Sequence, residues 1–392
     1  MTENIVNSSR QVFRSLNGLR FILAIWIAYF HVGHMFDEHG FGMTPILRLG
    51  VSRVDVFFVL SGFVLSHVYW AQRTKPFNFL DFMVARLARI YPMYLIALGL
   101  IIAYLSAGFI LGKQGDTVYP ISDLFKCLFF LQAIGLTETN SWNFPAWAVA
   151  AEMGGYLAFP LFIIAAKLTR NVPYVLLAIA LGTIFCVEIF LRNYAELDLY
   201  RTTNDWAVLR GASVMFCGVA ARSVLNVFKP NALLSVITII ASICVIVTAA
   251  LYQSGVNVNH PLPAPLVSPF AAILDLASVP FVAFGAAFLM IGLARLDELN
   301  VSTGLAGEKM QELGNWSYVI FILHAPIYTI LAQGLDIIGY EFSAGPISSI
   351  AFTLMAIAVA GPIYHYVEKP TRSIIRNSWQ KRRGRQIANA GL

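Results

Sequence analysis

Two ionisable side chains, Arg20 and His31, interrupt a segment otherwise apolar enough to cross a bilayer, Leu16-Asn17-Gly18-Leu19-Arg20 through Phe30-His31. Charge in hydrocarbon is costly, so such residues face polar cavities and mark functional sites. A helix turns by about 100° per residue, and the step from Arg20 to His31 makes about three full turns. Both side chains therefore share one face, separated by about 16 Å along the axis. A guanidinium can clamp an anion, and an imidazole can move a proton near neutral pH. The spacing aligns an anion clamp near one membrane surface with a base deep in the membrane.

A second cationic feature is Arg86-Leu87-Ala88-Arg89, which precedes Ile90-Tyr91-Pro92. Residues three apart share a helix face, and two such arginines can hold phosphates bidentately. Taken alone the pair reads as ordinary topogenic charge, and it is Arg20 at the same membrane surface that brings a joint phosphate site into play. Asp55 and Glu152 are acids inside or at the start of apolar runs. Paired with imidazole or arginine they can ionise there, and isolated they stay neutral. Two of these residues have a plainer reading: Asp55 pairs with Arg53 or accepts from the start of its span, and His31 hydrogen-bonds a neighbouring helix. Glu188 has no partner legible in the sequence. His324 stands in Leu323-His324-Ala325-Pro326, where the proline frees a carbonyl for the imidazole or its neighbours to satisfy, so a structural role weighs at least as much as a functional one.

The elements that position these residues are membrane spans. Hydrophobic residues make up 58% of the 392-residue chain and charged residues 12%, with a mean hydropathy of +0.69. No soluble domain of this size hides that much apolar surface. Long solid apolar runs exclude a β-barrel, whose strands alternate. The fold class is all-α and polytopic. We read ten spans, at 16–36, 50–70, 91–112, 145–166, 172–191, 207–221, 232–252, 268–294, 315–334 and 344–366. The shorter apolar run 121–136 contains Lys126 and reads as re-entrant or interfacial. Ten spans with both termini inside gather most lysines and arginines on the cytoplasmic side, as the positive-inside rule requires. The chain thus divides into a cytoplasmic arm (1–15), a transmembrane domain (16–368) and a basic cytoplasmic tail (369–392), which reads as orientation charge attracted to anionic lipid. The four cysteines lie in apolar runs without CxxC spacing and read as buried small hydrophobes. No metal site and no nucleic-acid partner are expected. In this topology His31, Asp55 and Glu152 reach similar depth in the outer half of the membrane, and Arg20, Arg86 and Arg89 lie together at the inner surface.

The motifs, taken in order, resemble the acyltransferase 3 family of integral membrane O-acyltransferases. They are Leu16-Asn17-Gly18-Leu19-Arg20 with ten residues before His31, Asp55-Val56-Phe57-Phe58 through Ser61-Gly62-Phe63, and Arg86-x-x-Arg89-Ile90-x-Pro92-x-Tyr94. Asn143-Phe144-Pro145-Ala146-Trp147 followed by Glu152, Leu313-Gly314-Asn315-Trp316-Ser317-Tyr318 followed by His324, and Glu368-Lys369-Pro370 complete the series. Each is weak alone, but six in family order span nearly the whole chain. One position departs: the family's Trp-Ser-Leu is Trp147-Ala148-Val149 here.

The resemblance implies a cytoplasmic acyl-CoA donor, commonly acetyl-CoA, that is consumed rather than bound permanently. It implies a hydroxyl acceptor on a cell-surface or exported glycan or a lipid-linked sugar, a bacterial inner-membrane location, and essential roles for Arg20 and His31. The expected division of labour is donor binding by Arg20, Arg86 and Arg89 and catalysis by His31, with Asp55 or Glu152 orienting the imidazole. The alternative is a proton-coupled transporter or flippase for a polar lipid or glycan, whose intramembrane histidine and acids relay protons.

Overall fold

A chain segment in hydrocarbon must satisfy its own backbone donors and acceptors, and long apolar runs do so only as helices. The computed structural model describes residues 13–36, 49–71, 76–112, 118–139, 142–253, 264–337 and 346–389, and all their regular structure is helical. Most of the N-terminal arm lies outside the described residues, as do the loop cations Arg48, Arg73, Lys75 and Lys113.

The helices are α1 (Arg14–Phe36), α2 (Arg53–Ser66), α3 (Phe79–Ile110), α4 (Ile121–Leu128), α5 (Trp147–Leu168), α6 (Pro173–Tyr194), α7 (Ala207–Val224), α8 (Ala232–Gln253), α9 (Ala264–Glu298), α10 (Glu308–Ile337), α11 (Pro346–Ile363) and α12 (Lys369–Asn389). Single π-turns extend α2 over His67–Ala71 and join α11 to α12 over Tyr364–Glu368. Ten segments among the described residues are long and apolar enough to span a membrane; they are α1 to α3 and α5 to α11, the last running on into α12. Antiparallel succession puts the start of α1, the end of α2, the start of α3 and all of α12 at one membrane face.

The most enclosed span is α7, packed among α2, α5, α6 and α9. Small residues allow this. A Cβ on Gly62 of α2 would lie 2.0 Å from the Met215 carbonyl oxygen, and one on Gly218 of α7 would lie 2.0 Å from that of Val59. Close backbone approach through small residues is how helices associate where lipid supplies no hydrophobic drive. At the periphery, Leu157, Leu161, Ile164 and Leu168 form an exposed apolar stripe on α5, the face expected to meet lipid. Cys127 and Cys217 are buried as expected, whereas Cys186 and Cys244 are exposed on outward faces.

Two elements differ from the sequence reading. The third span begins twelve residues earlier than 91, because Asn78 caps α3 by accepting from the Asp81 amide at 2.9 Å. At about 1.5 Å per residue its 32 residues reach about 48 Å, longer than the hydrocarbon is thick. Arg86 and Arg89 therefore stand on a helix rather than in a loop. The basic tail is also a helix, α12, packed against α3.

The run 121–136 folds as the single short helix α4 followed by a 3-10 turn at Leu131–Ile134. Asp123 fastens it. This buried carboxylate accepts from the Glu138 and Thr139 amides at 2.9 and 3.0 Å and pairs with Lys126 at 3.1 Å. Burial works to raise its pKa, but these partners outweigh it and hold the group below the usual carboxylate value. Ile121, Phe125 and Phe129 turn outward, an apolar edge suited to the membrane boundary.

Candidate active site

The site is built where α1 meets α10. Gly314 brings the two backbones together, and Gly18 brings α1 against the loop leading into α10: a Cβ on Gly314 would lie 2.3 Å from the Asn17 carbonyl oxygen, and one on Gly18 2.3 Å from that of Leu305. These glycines belong to the first and fifth motifs. The contact turns both Arg20 and His31 toward α10.

His31 meets His324. Their ring planes are within 11° of parallel, with centroids 5.0 Å apart and His31 Nδ1 2.7 Å from His324 Nε2. The second nitrogen of His324, Nδ1, lies 3.1 Å from the Ile320 carbonyl oxygen. A carbonyl only accepts, so Nδ1 of His324 carries the proton. In the neutral ring its Nε2 is then an acceptor, and His31 must donate from Nδ1. This places the lone pair of His31 on Nε2, the form a general base needs. The carbonyl freed by Pro326 belongs to Ile322, four residues back. The buried Asn143 takes that carbonyl, donating from Nδ2 at 3.1 Å. Phe144, the next residue, packs edge-on against His31 at 4.8 Å.

Below the histidine pair is a cavity whose empty space, mouth included, is about 810 Å³. Arg20, Arg86 and Arg89 line it from α1 and α3, facing Ser61 of α2 and Glu152 and Tyr156 of α5. Ser61 donates to Glu152 Oε1. Glu152 is the one carboxylate in this lining against three guanidiniums, so the cavity is net positive. Phe57, Val149 and Phe321 form apolar wall. Phe321 touches both regions: it lines the cavity, and its ring centroid is 6.1 Å from that of His324. The cavity thus has an arginine-rich part and a wall bordering the imidazoles.

The structure brings the three predicted donor arginines into one cavity and separates the three predicted catalytic residues. Glu152 sits with the arginines, because Phe144 rather than Glu152 is level with His31 and eight further residues of helix descend by about 12 Å. Asp55 is fully buried against Arg210, with Nε to Oδ1 at 2.8 Å and Nη2 to Oδ2 at 2.9 Å. Arg210 also donates to the Tyr200 and Thr202 carbonyls, so the pair ties α2 and α7 to the loop before α7. Arg53 instead donates to the Trp26 carbonyl and lies over the Trp26 ring at 4.7 Å. Glu188 has partners after all: Arg192 at 2.5 Å and the Leu199 amide at 3.1 Å, with Arg192 reaching Asp275 of α9. Sequence reasoning left His324 open, met Asn143 only as part of a motif without a role, and did not single out Tyr156. The side chain of His34 lies outside the described residues.

Ten apolar helices among the described residues and a net-positive cavity bordering a histidine pair define an integral membrane protein with a candidate active site between its helices. The chain belongs to the acyltransferase 3 family of membrane acyltransferases, whose acyltransferase domain matches residues 13–365. It is similar to the acyltransferase MdmB of Streptomyces mycarofaciens, with 26% identity covering 92% of each chain. It is also similar to the peptidoglycan O-acetyltransferase OatA of Listeria monocytogenes, with 22% identity over 84% of this chain and 51% of the longer relative. The exopolysaccharide production protein ExoZ of Rhizobium meliloti is 29% identical over 28% of this chain and 33% of its own. No solved structure matches the chain.

Proposed function

We propose that this enzyme moves an acyl group, the acetyl group in the simplest case, from cytoplasmic acyl-CoA to a hydroxyl of a cell-surface or exported glycan or a lipid-linked sugar. The observation that carries this reading is the cavity with Arg20, Arg86 and Arg89 in its lining and a wall, Phe321, against the His31–His324 pair. Coenzyme A matches that layout, with a phosphate-rich head and a thin arm ending in the thioester. The arginines hold phosphate oxygens, which guanidinium forks suit. The arm follows the cavity toward His31.

His31 Nε2 takes the proton of the acceptor hydroxyl as its oxygen attacks the thioester carbonyl. The carbon–sulfur bond breaks, the ester forms, and the departing thiolate receives the proton from the imidazolium. His324 fixes the His31 tautomer by accepting from Nδ1, the role a carboxylate plays in a hydrolase triad. Glu152 and Ser61 act at the donor end, where the carboxylate balances part of the arginine charge. Asp55 holds α2 against α7. The relatives support a glycan acceptor, one being named for peptidoglycan O-acetylation and another for exopolysaccharide production. Family membership favours this over the transporter or flippase reading. The location follows: a bacterial inner membrane, with both termini cytoplasmic.

The test is the purified protein in lipid with labelled acetyl-CoA and a panel of peptidoglycan fragments and exopolysaccharide oligomers. Transfer should depend on His31, with His31→Ala lowering kcat by about 10²–10⁴-fold. Arg86→Ala and Arg89→Ala should each raise the donor KM. Undiminished turnover by His31→Ala, or no acyl-CoA consumption with any acceptor, refutes the reading.

A further inference from the structure

The arginine cavity does not end at Arg86. That side chain donates from Nη2 to the Tyr69 hydroxyl at 3.3 Å, and its guanidinium lies 5.5 Å from the Tyr69 ring centroid. Tyr69 in turn lines a second cavity of about 810 Å³, mouth included, between the first turns of α3 and the helix α12. Its other lining residues include Asp81, Arg376, Trp379 and Arg383. The Tyr69–Arg86 pair is therefore a wall common to two cavities in series.

The helix α12 is docked by specific polar contacts. Trp379 donates from Nε1 to Asp81 Oδ1 at 2.9 Å, and Arg383 pairs with Asp81 Oδ2. A segment held only by lipid charge needs no such register. Arg383 neutralises Asp81, so the cavity's remaining charge is that of Arg376, which is exposed and has no ion-pair partner among the described residues. Positive charge thus continues outward from Arg89 and Arg86 to Arg376, and two aromatic rings, Tyr69 and Trp379, flank the path. A ligand complementary to this sequence carries anionic groups at two separate places and a flat ring beside them.

We infer that the second cavity binds the nucleotide head of the acyl-CoA donor, with the adenine against Trp379 and Tyr69 and the ribose 3′-phosphate on Arg376. The diphosphate then crosses at Arg86 and Arg89, and the arm enters the first cavity. This inference rests on the acyl-CoA reading above and adds α12, outside the matched domain, to the donor site.

The experiment compares the full-length enzyme with Arg376→Ala and Trp379→Ala in phosphatidylcholine vesicles, using acetyl-CoA, 3′-dephospho-acetyl-CoA and acetyl-pantetheine. With acetyl-CoA each variant should raise KM about tenfold or more at unchanged kcat, as loss of a charge-assisted contact does. With acetyl-pantetheine, which has no head, both variants should match wild type. With the dephospho donor, wild type should already show the raised KM and Arg376→Ala should add nothing. Trp379→Phe keeps a ring and should restore much of the affinity lost in Trp379→Ala. Wild-type KM for acetyl-CoA in both variants overturns the inference, and so does an equal rise with the headless donor. An Arg376→Ala defect that appears only when phosphatidylglycerol is added makes the cavity a lipid site and also overturns it. If wild type consumes acetyl-pantetheine but gains no affinity from the head, the inference fails and the donor chemistry stands. If wild type uses none of the thioesters, the acyl-CoA reading itself fails.

Discussion

A catalytic imidazole in a membrane needs a partner that fixes its tautomer without adding a buried charge. A carboxylate would carry a desolvation cost of several kcal/mol unless fully paired. A second neutral imidazole anchored to a carbonyl avoids it, and this is what His324 provides at 2.7 Å from His31. His324→Ala should therefore lower kcat while leaving the donor KM unchanged, because the arginine end of the cavity is untouched. His324→Gln, whose amide oxygen can accept from His31 Nδ1, should recover part of the rate. Asp55→Asn should behave oppositely. It breaks a buried ion pair whose loss costs about 3–5 kcal/mol, so thermal stability in detergent should fall first, and activity only with the folded fraction. A donor-KM rise in His324→Ala, or a fully stable but inactive Asp55→Asn, would reverse these assignments. Both histidines stood out in the sequence as ionisable groups in apolar runs. Their pairing did not, because a separation of 293 residues carries no contact information. The acids were the natural candidates for orienting His31, yet Asp55 found Arg210 and Glu152 found Ser61 and the arginines. Which of several buried partners a carboxylate meets is decided by helix packing, which one-dimensional spacing does not encode.

At the scale of elements, the motif glycines set the distance on which that chemistry depends. Gly314 has the Asn17 carbonyl against it, and Gly18 has that of Leu305. A methyl group on Gly314 forces α1 and α10 apart, moving His31 relative to His324, and one on Gly18 pushes away the loop that leads into α10. Gly314→Ala should cost about 1–3 kcal/mol of stability, as overpacking does, and should reduce kcat beyond the loss of folded protein. Gly99→Ala is the control. Nothing lies within 4 Å of its added carbon, and alanine favours helix over glycine, so stability should hold or rise slightly and activity should be unchanged. Thermal unfolding of both variants beside their kcat checks this, and equal behaviour of the two would remove the role given to the α1–α10 contact. The sequence shows where such glycines are but not what they face. It also hides the start of α3, since Asp81, Arg86 and Arg89 dilute the hydropathy of a segment that Asn78 nevertheless caps as helix. The same dilution makes α12 look like a free tail, because its anchor, Asp81, lies 298 residues from Trp379.

For the whole molecule, the number of spans was legible because each is a run long enough to cross hydrocarbon, and hydropathy detects length well. It detects depth poorly, and depth decides which face each substrate uses. Arg86 of the arginine cavity touches Tyr69 of the α12 cavity, and both residues belong to the face that carries the described chain ends. His31 lies about 16 Å further along α1 than Arg20, toward the opposite face. A highly charged thioester cannot cross lipid unaided, so in the proposed reaction the donor enters from the termini face and the acceptor hydroxyl from the other. Reconstituted in vesicles with a single orientation, the enzyme should turn over when acetyl-CoA is supplied to the termini face and soluble glycan acceptor to the opposite one. Exchanging the two compartments should abolish transfer without changing protein stability. Adding both substrates to the termini face alone should give little product, because the glycan then meets the arginines rather than His31. Equal turnover from either arrangement would mean that donor and acceptor reach the imidazole by one route, and the division of the cavity into a donor end and an acceptor side would have to be given up.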